Sequence, residues 1–192
     1  MRFYTADTHF GHKRIIELSN RPFNDVDEMN HRIINNINQV AGPDDELWIL
    51  GDMAMGTLVE TLELIKLINP SVHLVNGNHD RTWRGAKEKD RAKTPLYIEA
   101  GIQSIQDEAI HNIDGIPVRL SHFPYAGDHT EEDRHVEWRP ADDGMWLLCG
   151  HVHELWGQQG MMINVGVDVR NFCPISEEDV LGLIRRGALC HA

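Results

Sequence analysis

Five short polar signatures hold the residues able to do chemistry. They are Asp7-Thr8-His9, Gly51-Asp52, Gly77-Asn78-His79-Asp80, Ser121-His122-Phe123-Pro124 and Gly150-His151-Val152-His153. Their carboxylate, amide and imidazole groups are donors for hard-to-borderline divalent cations. Carboxylates supply negative charge, imidazole favours transition metals over magnesium or calcium, and Asn78 offers a neutral carbonyl oxygen. One such triplet alone is more often an ordinary loop than a site. Five in order, each behind a predicted strand, point to a metal centre. The 12 histidines of the chain are its most unusual compositional feature.

The elements between the signatures must bring them together. Phe3 to Ala6 reads as a first strand, and Val26 to Val40 places Met29, Ile33, Ile34, Ile37 and Val40 at helical spacing. Glu46 to Leu50 is a buried strand, Leu58 to Ile68 a second helix, and Val72 to Val75 a third strand. Ile102 to Ile113 and Ile116 to Ser121 flank Asp114-Gly115, a hairpin signal. Met145 to Cys149 and Met161 to Val167 are further strands. Ser176 caps a last helix whose first turn is acidic. The first half thus alternates strands and helices, and the second is rich in strands. The expected fold class is α/β, a layered sandwich of mixed sheets flanked by helices. In such sheets ligands gather beyond the carboxyl ends of the strands, where the five signatures fall. The glycines before Asp52, Asn78 and His151 are expected to let the backbone turn sharply, aiming each ligand inward.

The chain has 192 residues, with no repeat and no linker to divide it, so residues 1–192 are read as one domain. No apolar run nears the roughly 20 residues of a membrane span. The start lacks the sections of a signal peptide, which points to a cytoplasmic protein. Cys149, Cys173 and Cys190 suggest neither a disulfide framework nor a zinc ribbon, and Cys149 reads as a small buried hydrophobe. A formal charge of −12 argues against binding extended nucleic acid, and no basic groove is expected.

The order DxH, GD, GNHD, SHxP and GHxH resembles the calcineurin-like metallophosphoesterase superfamily. Asp7-Thr8-His9-Phe10-Gly11-His12, together with Arg21-Pro22-Phe23, Val167-Asp168 and Pro174-Ile175-Ser176, is similar to a small bacterial and phage branch. The resemblance implies that Asp7, His9 and His153 hold one cation and that Asn78, His122 and His151 hold another, with Asp52 bridging. It places His79 near the leaving group and gives Asp80 the task of orienting it. Met53-Ala54-Met55-Gly56 stands where the family's protein phosphatases carry an Asp-Arg-Gly run, which argues against that activity.

The implied cofactors are two divalent ions, manganese first, with iron or zinc as alternatives. A pair of such ions activates water and stabilises the charge of in-line attack. The implied activity is hydrolysis of phosphodiesters, with small nucleotide diesters such as 2′,3′-cyclic nucleotides as leading substrates. A phosphomonoesterase or nuclease using the same centre is one alternative, and a non-catalytic scaffold of the same fold is another. Composition does not decide the oligomeric state. His12 is a candidate substrate contact. Arg14 and Arg21 are candidates to approach the site, with ordinary surface charge the favoured reading, and His31 and His73 are expected to be structural. Tyr125 to Asp143 (125–143), which lacks periodicity, has the length of a lid over the site.

Overall fold

The computed structural model describes residues 1–189. It contains two five-stranded sheets packed face to face. The first consists of β1 (Arg2–Thr5), β2 (Glu46–Leu50), β3 (Ser71–Val75), β4 (Ile102–Gln106) and β10 (Ile175–Ser176). Its order is β10-β1-β2-β3-β4, with β1 to β4 parallel and β10 antiparallel at one edge. The second holds β5 (Glu108–Ile113), β6 (Ile116–Ser121), β7 (Trp146–Cys149), β8 (Gln158–Gln159) and β9 (Met162–Asn164) in the order β5-β6-β7-β9-β8. The helices are α1 (Ile15–Leu18), α2 (Val26–Val40), α3 (Leu58–Glu63), α4 (Glu88–Arg91), α5 (Thr94–Glu99) and α6 (Glu177–Leu189). This is the layered α/β sandwich expected from the strand and helix patterns.

The central strands are largely apolar beyond their first residues because both of their faces are buried. Side chains alternate along β2, so Leu47 and Ile49 face the helical layer while Trp48 and Leu50 enter the space between the sheets. Against the helical side pack Met29, Ile33, Ile34 and Ile37 of α2 and Leu58 and Leu62 of α3. Between the sheets, Tyr4, Trp48, Leu50 and Val75 meet Val118, Leu120, Trp146, Leu148 and Ile163, joined by Val180 and Ile184 of α6. The Asp25 carboxylate accepts the Glu28 N–H at 2.8 Å and so caps α2. Val40, at the other end, is exposed rather than in the core. Ser176 Oγ accepts the Asp179 N–H at 3.1 Å, the cap expected for α6.

Two segments differ from the expectations. Ile102 to Ile113 is two strands in different sheets, β4 and β5, and the chain crosses at Asp107. A continuous β-period hides such a crossing, because both strands bury the same kind of residue. Leu58 to Ile68 is a short α-helix followed by a 3₁₀ turn over Leu64–Leu67. Cys149 is fully buried, as expected, and Cys190 lies outside the described residues. Among the described residues no helix is long and apolar enough to cross a membrane.

Candidate metal centre

All five signatures meet at the carboxyl ends of β1, β2, β3, β6 and β7. They bring Asp7, His9, Asp52, Asn78, His122, His151 and His153 into one place. The backbone there is unusual. Asp7, His9, Asp52, His151 and His153 have φ of 56°, 49°, 52°, 70° and 46°, the left-handed region that L residues rarely adopt. Strain of this kind persists only where the surroundings impose it, and it clusters at functional sites. The glycine expectation therefore needs correcting. Of the three glycines only Gly51 takes a positive φ (85°), and most of the sharp turning is done by the ligand residues themselves. Gly77 and Gly150 are needed for space. A Cβ on Gly77 would run into the Asp52 carboxylate, and one on Gly150 would lie 2.6 Å from Asp7 Oδ2.

Each of the four candidate histidine ligands has one nitrogen engaged by the protein. His122 Nδ1–H donates to Leu50 O at 2.9 Å. His151 Nε2–H donates to Asp128 at 3.1 Å, and His153 Nδ1–H to Asp168 at 3.1 Å. His9 Nδ1 lies 3.3 Å from Met55 Sδ. The remaining nitrogens turn inward. His122 Nε2 and His151 Nδ1 face each other at 3.3 Å, with Asn78 Oδ1 3.1 Å from the former. Because the other nitrogen of each ring donates to a protein acceptor, the neutral form of each presents a lone pair to this shared space. His9 Nε2 is buried without any partner. A shared cation is what such a set lacks, and the residues fit one. Burial, then the neighbouring His122, pushes His151 down to about 3, so it is neutral and able to bind metal. Burial likewise pushes His9 down.

The carboxylates fall into three clusters, two sharing Asp7 and a third joining Asp128 to His129 and His151. Ligand atoms of Asp7, His9 and His153 lie within 4.8 Å of one another, as do those of Asp7, Asp52 and His122. Asp52 Oδ2 is 3.6 Å from His122 Nε2, 3.8 Å from His9 Nε2 and 3.9 Å from His79 Nε2, a central position. Burial opposes its charge, but His122, His79 and His9 together hold its carboxyl well below the usual range. His79 stands at the rim, with 43% of its side chain exposed, and its backbone N–H donates to Asp52 Oδ1 at 2.9 Å.

Asp80 lies elsewhere than expected. Instead of reaching the His79 ring, its carboxylate accepts backbone N–H groups from Asp52 (2.8 Å), Met53 (3.1 Å) and Gly77 (2.8 Å). It ties the β2 and β3 loops together, while burial and the charge of Asp52 push it up to about 7. His12 lines a cleft beside His9, at 5.4 Å between ring centroids, and its Nδ1 is buried without a partner.

Three supporting residues were not anticipated. Arg21 is no surface charge. Its buried guanidinium grips both oxygens of Asp168 (2.8 and 2.9 Å) and donates to the carbonyls of Asp7 (2.7 Å) and Thr8 (3.2 Å). Asp168 in turn holds His153. Asp128 is the third. Although desolvation acts against it, bonds from Arg134 and His151 hold its carboxyl well below the usual range. The Gly127-Asp128-His129 run repeats the Gly-Asp form of Gly51-Asp52, which was the available signal. Residues 125–143 are irregular apart from a 3₁₀ turn at Val136–Trp138, and Asp128 pins them to the centre. His31 is exposed on α2, and His73 stacks on Trp48 at 4.6 Å.

Two clefts open on either side of His79. One, of about 460 Å³, is lined by His9, His12, Arg14, Ile15, Leu18 and His129 among others. The other, of about 630 Å³, runs from Asn78 and His79 past Trp83 to Arg81, Lys87, Lys89 and Lys93. The expectation of no basic groove thus fails locally. Residues 81–93 hold six basic residues against two acidic ones, which the total of −12 conceals.

Residues 3–169 match the profile of the calcineurin-like phosphoesterase superfamily domain. The gene 66 protein of Mycobacterium phage L5 is 34% identical over 171 residues, covering 79% of this chain and 76% of the relative. The gene 66 protein of Mycobacterium phage D29 is 32% identical over 186 residues, covering 91% and 92%. Among solved structures, a protein of unknown function from Aquifex aeolicus, AQ665, superposes with a TM-score of 0.73 at 27% identity, covering 95% of this chain and 98% of that one. Strand-end ligands, sheet order and sequence profile agree, and the chain belongs to the calcineurin-like phosphoesterase superfamily.

Proposed function

We propose that this protein is a two-metal phosphodiesterase acting on small nucleotide diesters, with 2′,3′-cyclic nucleotides as leading candidates. The observation that carries the reading is the inward-facing set of His9 Nε2, His122 Nε2, His151 Nδ1 and the Asp7 and Asp52 carboxylates, beside an exposed His79. Asp7, His9 and His153 would hold one ion and Asn78, His122 and His151 the other, with Asp52 between them. Manganese is the first expectation. When bound, the ions supply Lewis acidity and an activated water.

The protein's own groups do the remaining work. Asp80, Asp128, Asp168 and Arg21 fix the ligands before substrate arrives, so little reorganisation is left for the reaction. His79 stands exposed at the rim beside Asp52, the place from which an imidazole N–H would donate to a leaving oxygen. The two clefts flanking His79 favour a phosphate with two substituents, since each side of the phosphorus then has a place to go. A scaffold would have no use for five strained ligand positions.

The test compares kcat/KM at fixed manganese for bis(p-nitrophenyl) phosphate, p-nitrophenyl phosphate, 2′,3′- and 3′,5′-cyclic nucleotides and a short single-stranded oligonucleotide. Diesters should lead, cyclic nucleotides among them. A monoester or oligonucleotide ahead by more than about tenfold, a gap of about 1.4 kcal/mol, would overturn the diesterase assignment.

A further inference from the structure

We propose that the cleft between His79 and Lys93 is a subsite for a second phosphate, so that the preferred diester is a small nucleotide carrying another phosphate beyond the scissile one. This rests on the phosphodiesterase reading for its reaction, though not for its binding chemistry.

The cleft joins the metal centre directly, since Asn78 and His79 line both. Moving away from the centre, its walls change from ligand amide and imidazole to Arg81, Lys87, Lys89 and Lys93. The two acidic residues that line the cleft are already committed, and Glu88, though exposed between Lys87 and Lys89, does not line it. Asp90 is shared between Lys93 at 3.0 Å and Arg81 at 3.4 Å. Asp80 has turned its carboxylate onto three backbone amides. Among the described residues, Lys87 and Lys89 are exposed and have no carboxylate within salt-bridge distance. In a chain with 30 acidic and 18 basic residues, two unpaired lysines over an open cleft mark where negative charge is received.

The composition of the cleft also says what kind of anion fits. Trp83 forms part of the wall, yet only 8% of it is exposed, because Trp138 and His135 cover its ring at 5.0 and 5.9 Å. It offers no open face on which a base could stack, and recognition of a strand depends on such platforms. What remains is charge on flexible ammonium groups, which suits a phosphate rather than a base. These cationic residues are confined to this one cleft and acidic residues outnumber basic ones in the chain, so one extra phosphate is expected rather than a continuing backbone.

The experiment uses two minimal pairs with metal-loaded protein. One pair is the dinucleotide ApA with and without a terminal phosphate, placed at either end. The other is adenosine 2′,3′-cyclic phosphate with and without a 5′-phosphate. One exposed charge pair strengthens binding by about 1.5- to 5-fold, so two lysines should give on the order of tenfold. In at least one pair the added phosphate should raise kcat/KM by that factor. In Lys87→Gln/Lys89→Gln the ratio within the pair should fall towards one, and rising salt should erode it in the native protein.

Calorimetric titration with adenosine 3′,5′-bisphosphate against adenosine 3′-monophosphate reads the same preference without turnover. Equal affinity for the two, or a preference that survives the double substitution and high salt, overturns the subsite. A gain that keeps growing with each added nucleotide overturns it in favour of a strand-binding groove. If the bisphosphate preference is present but no diester is hydrolysed, the subsite stands and the reaction reading falls.

Discussion

Asp128→Asn tests whether the centre depends on residues that touch no substrate. The carboxylate is buried and faces five donors: Arg134 Nη2 (2.9 Å), Thr130 N (3.0 Å) and Thr130 Oγ1 (3.2 Å) on Oδ1, His151 Nε2 (3.1 Å) and Arg134 N (3.3 Å) on Oδ2. An asparagine keeps only one acceptor oxygen. The charged guanidinium and the Thr130 amide hold that oxygen on their side, so the new amide N–H₂ points at His151 Nε2. Two donors cannot face each other, and the ring must move its proton to Nδ1, the nitrogen that faces His122 Nε2 at 3.3 Å. The metal-facing lone pair is then lost. Partners of this kind contribute about 10- to 100-fold in metal affinity, or about 1.4–2.7 kcal/mol. The loss should fall on one site, because Asp7, His9 and His153 keep their own support. Manganese titration by calorimetry should show one weakened phase and one near-native phase. Nitrogen NMR of the His151 ring should show the proton moved to Nδ1 in the metal-free variant. Two native affinities with an unchanged tautomer would refute the reasoning.

Arg21→Leu should destabilise the fold by about 3–5 kcal/mol in urea melts, because it strands the Asp168 charge and two buried carbonyls; a loss under about 1 kcal/mol would return Arg21 to a surface role. Burial pushes His111 down to about 4, so in the folded state it resists a proton that the unfolded chain accepts below about 6.5. Stability should therefore fall as pH drops from about 6.5 to 4, by roughly 2–3 kcal/mol from this residue, and His111→Gln should show a shallower fall over that window. His79→Gln should retain two metals while kcat drops by about 10²–10⁴-fold, less for a nitrophenyl ester than for a poor leaving group; equal losses would leave His79 only an orienting task. Chelation of metal should lower Tm, and manganese should restore it in native protein but far less in Asp52→Ala; an unchanged Tm would mean that the centre forms no tight metal site.

The parts of this protein that were legible in sequence share one property: their signal is local. The spacing of α2, the Asp114-Gly115 turn and the Ser176 cap each sit within a few neighbouring residues, and all three appear in the structure. The five ligand signatures were readable because each occupies two to four consecutive positions. What escaped depends on contacts far apart in sequence. Arg21 looks like a surface charge until Asp168 arrives from 147 residues away. Asp128 lies in a stretch without periodicity, and its link to the centre, His151, comes from the loop after β7, 23 residues away. The family resemblance gave Asp80 the task of orienting His79, yet the turn at Gly77 swings its carboxylate back towards the β2 loop. The cationic run of residues 81–93 was visible but was averaged into the acidic total, and a global charge is a poor guide to a local field.

The strained backbone connects these observations. Five of the candidate ligands stand two or four residues past the end of a parallel strand, and each takes a left-handed φ. An exposed loop would relax such strain, which costs of order 1–3 kcal/mol for each residue. Here the loops cannot relax. Asp80 clamps β2 to β3, Arg21 holds the carbonyls of Asp7 and Thr8, and both Asp7 oxygens receive the His151 N–H. The Asp80 and Arg21 clamps bond to backbone rather than to ligand side chains, so they occupy none of the candidate ligand atoms. Two buried cores, one on each face of the first sheet, hold the strand ends in register against that strain. Stability generated in the sandwich is thus spent at its rim, where it fixes carboxylates and imidazoles closer together than their own chemistry would allow without metal.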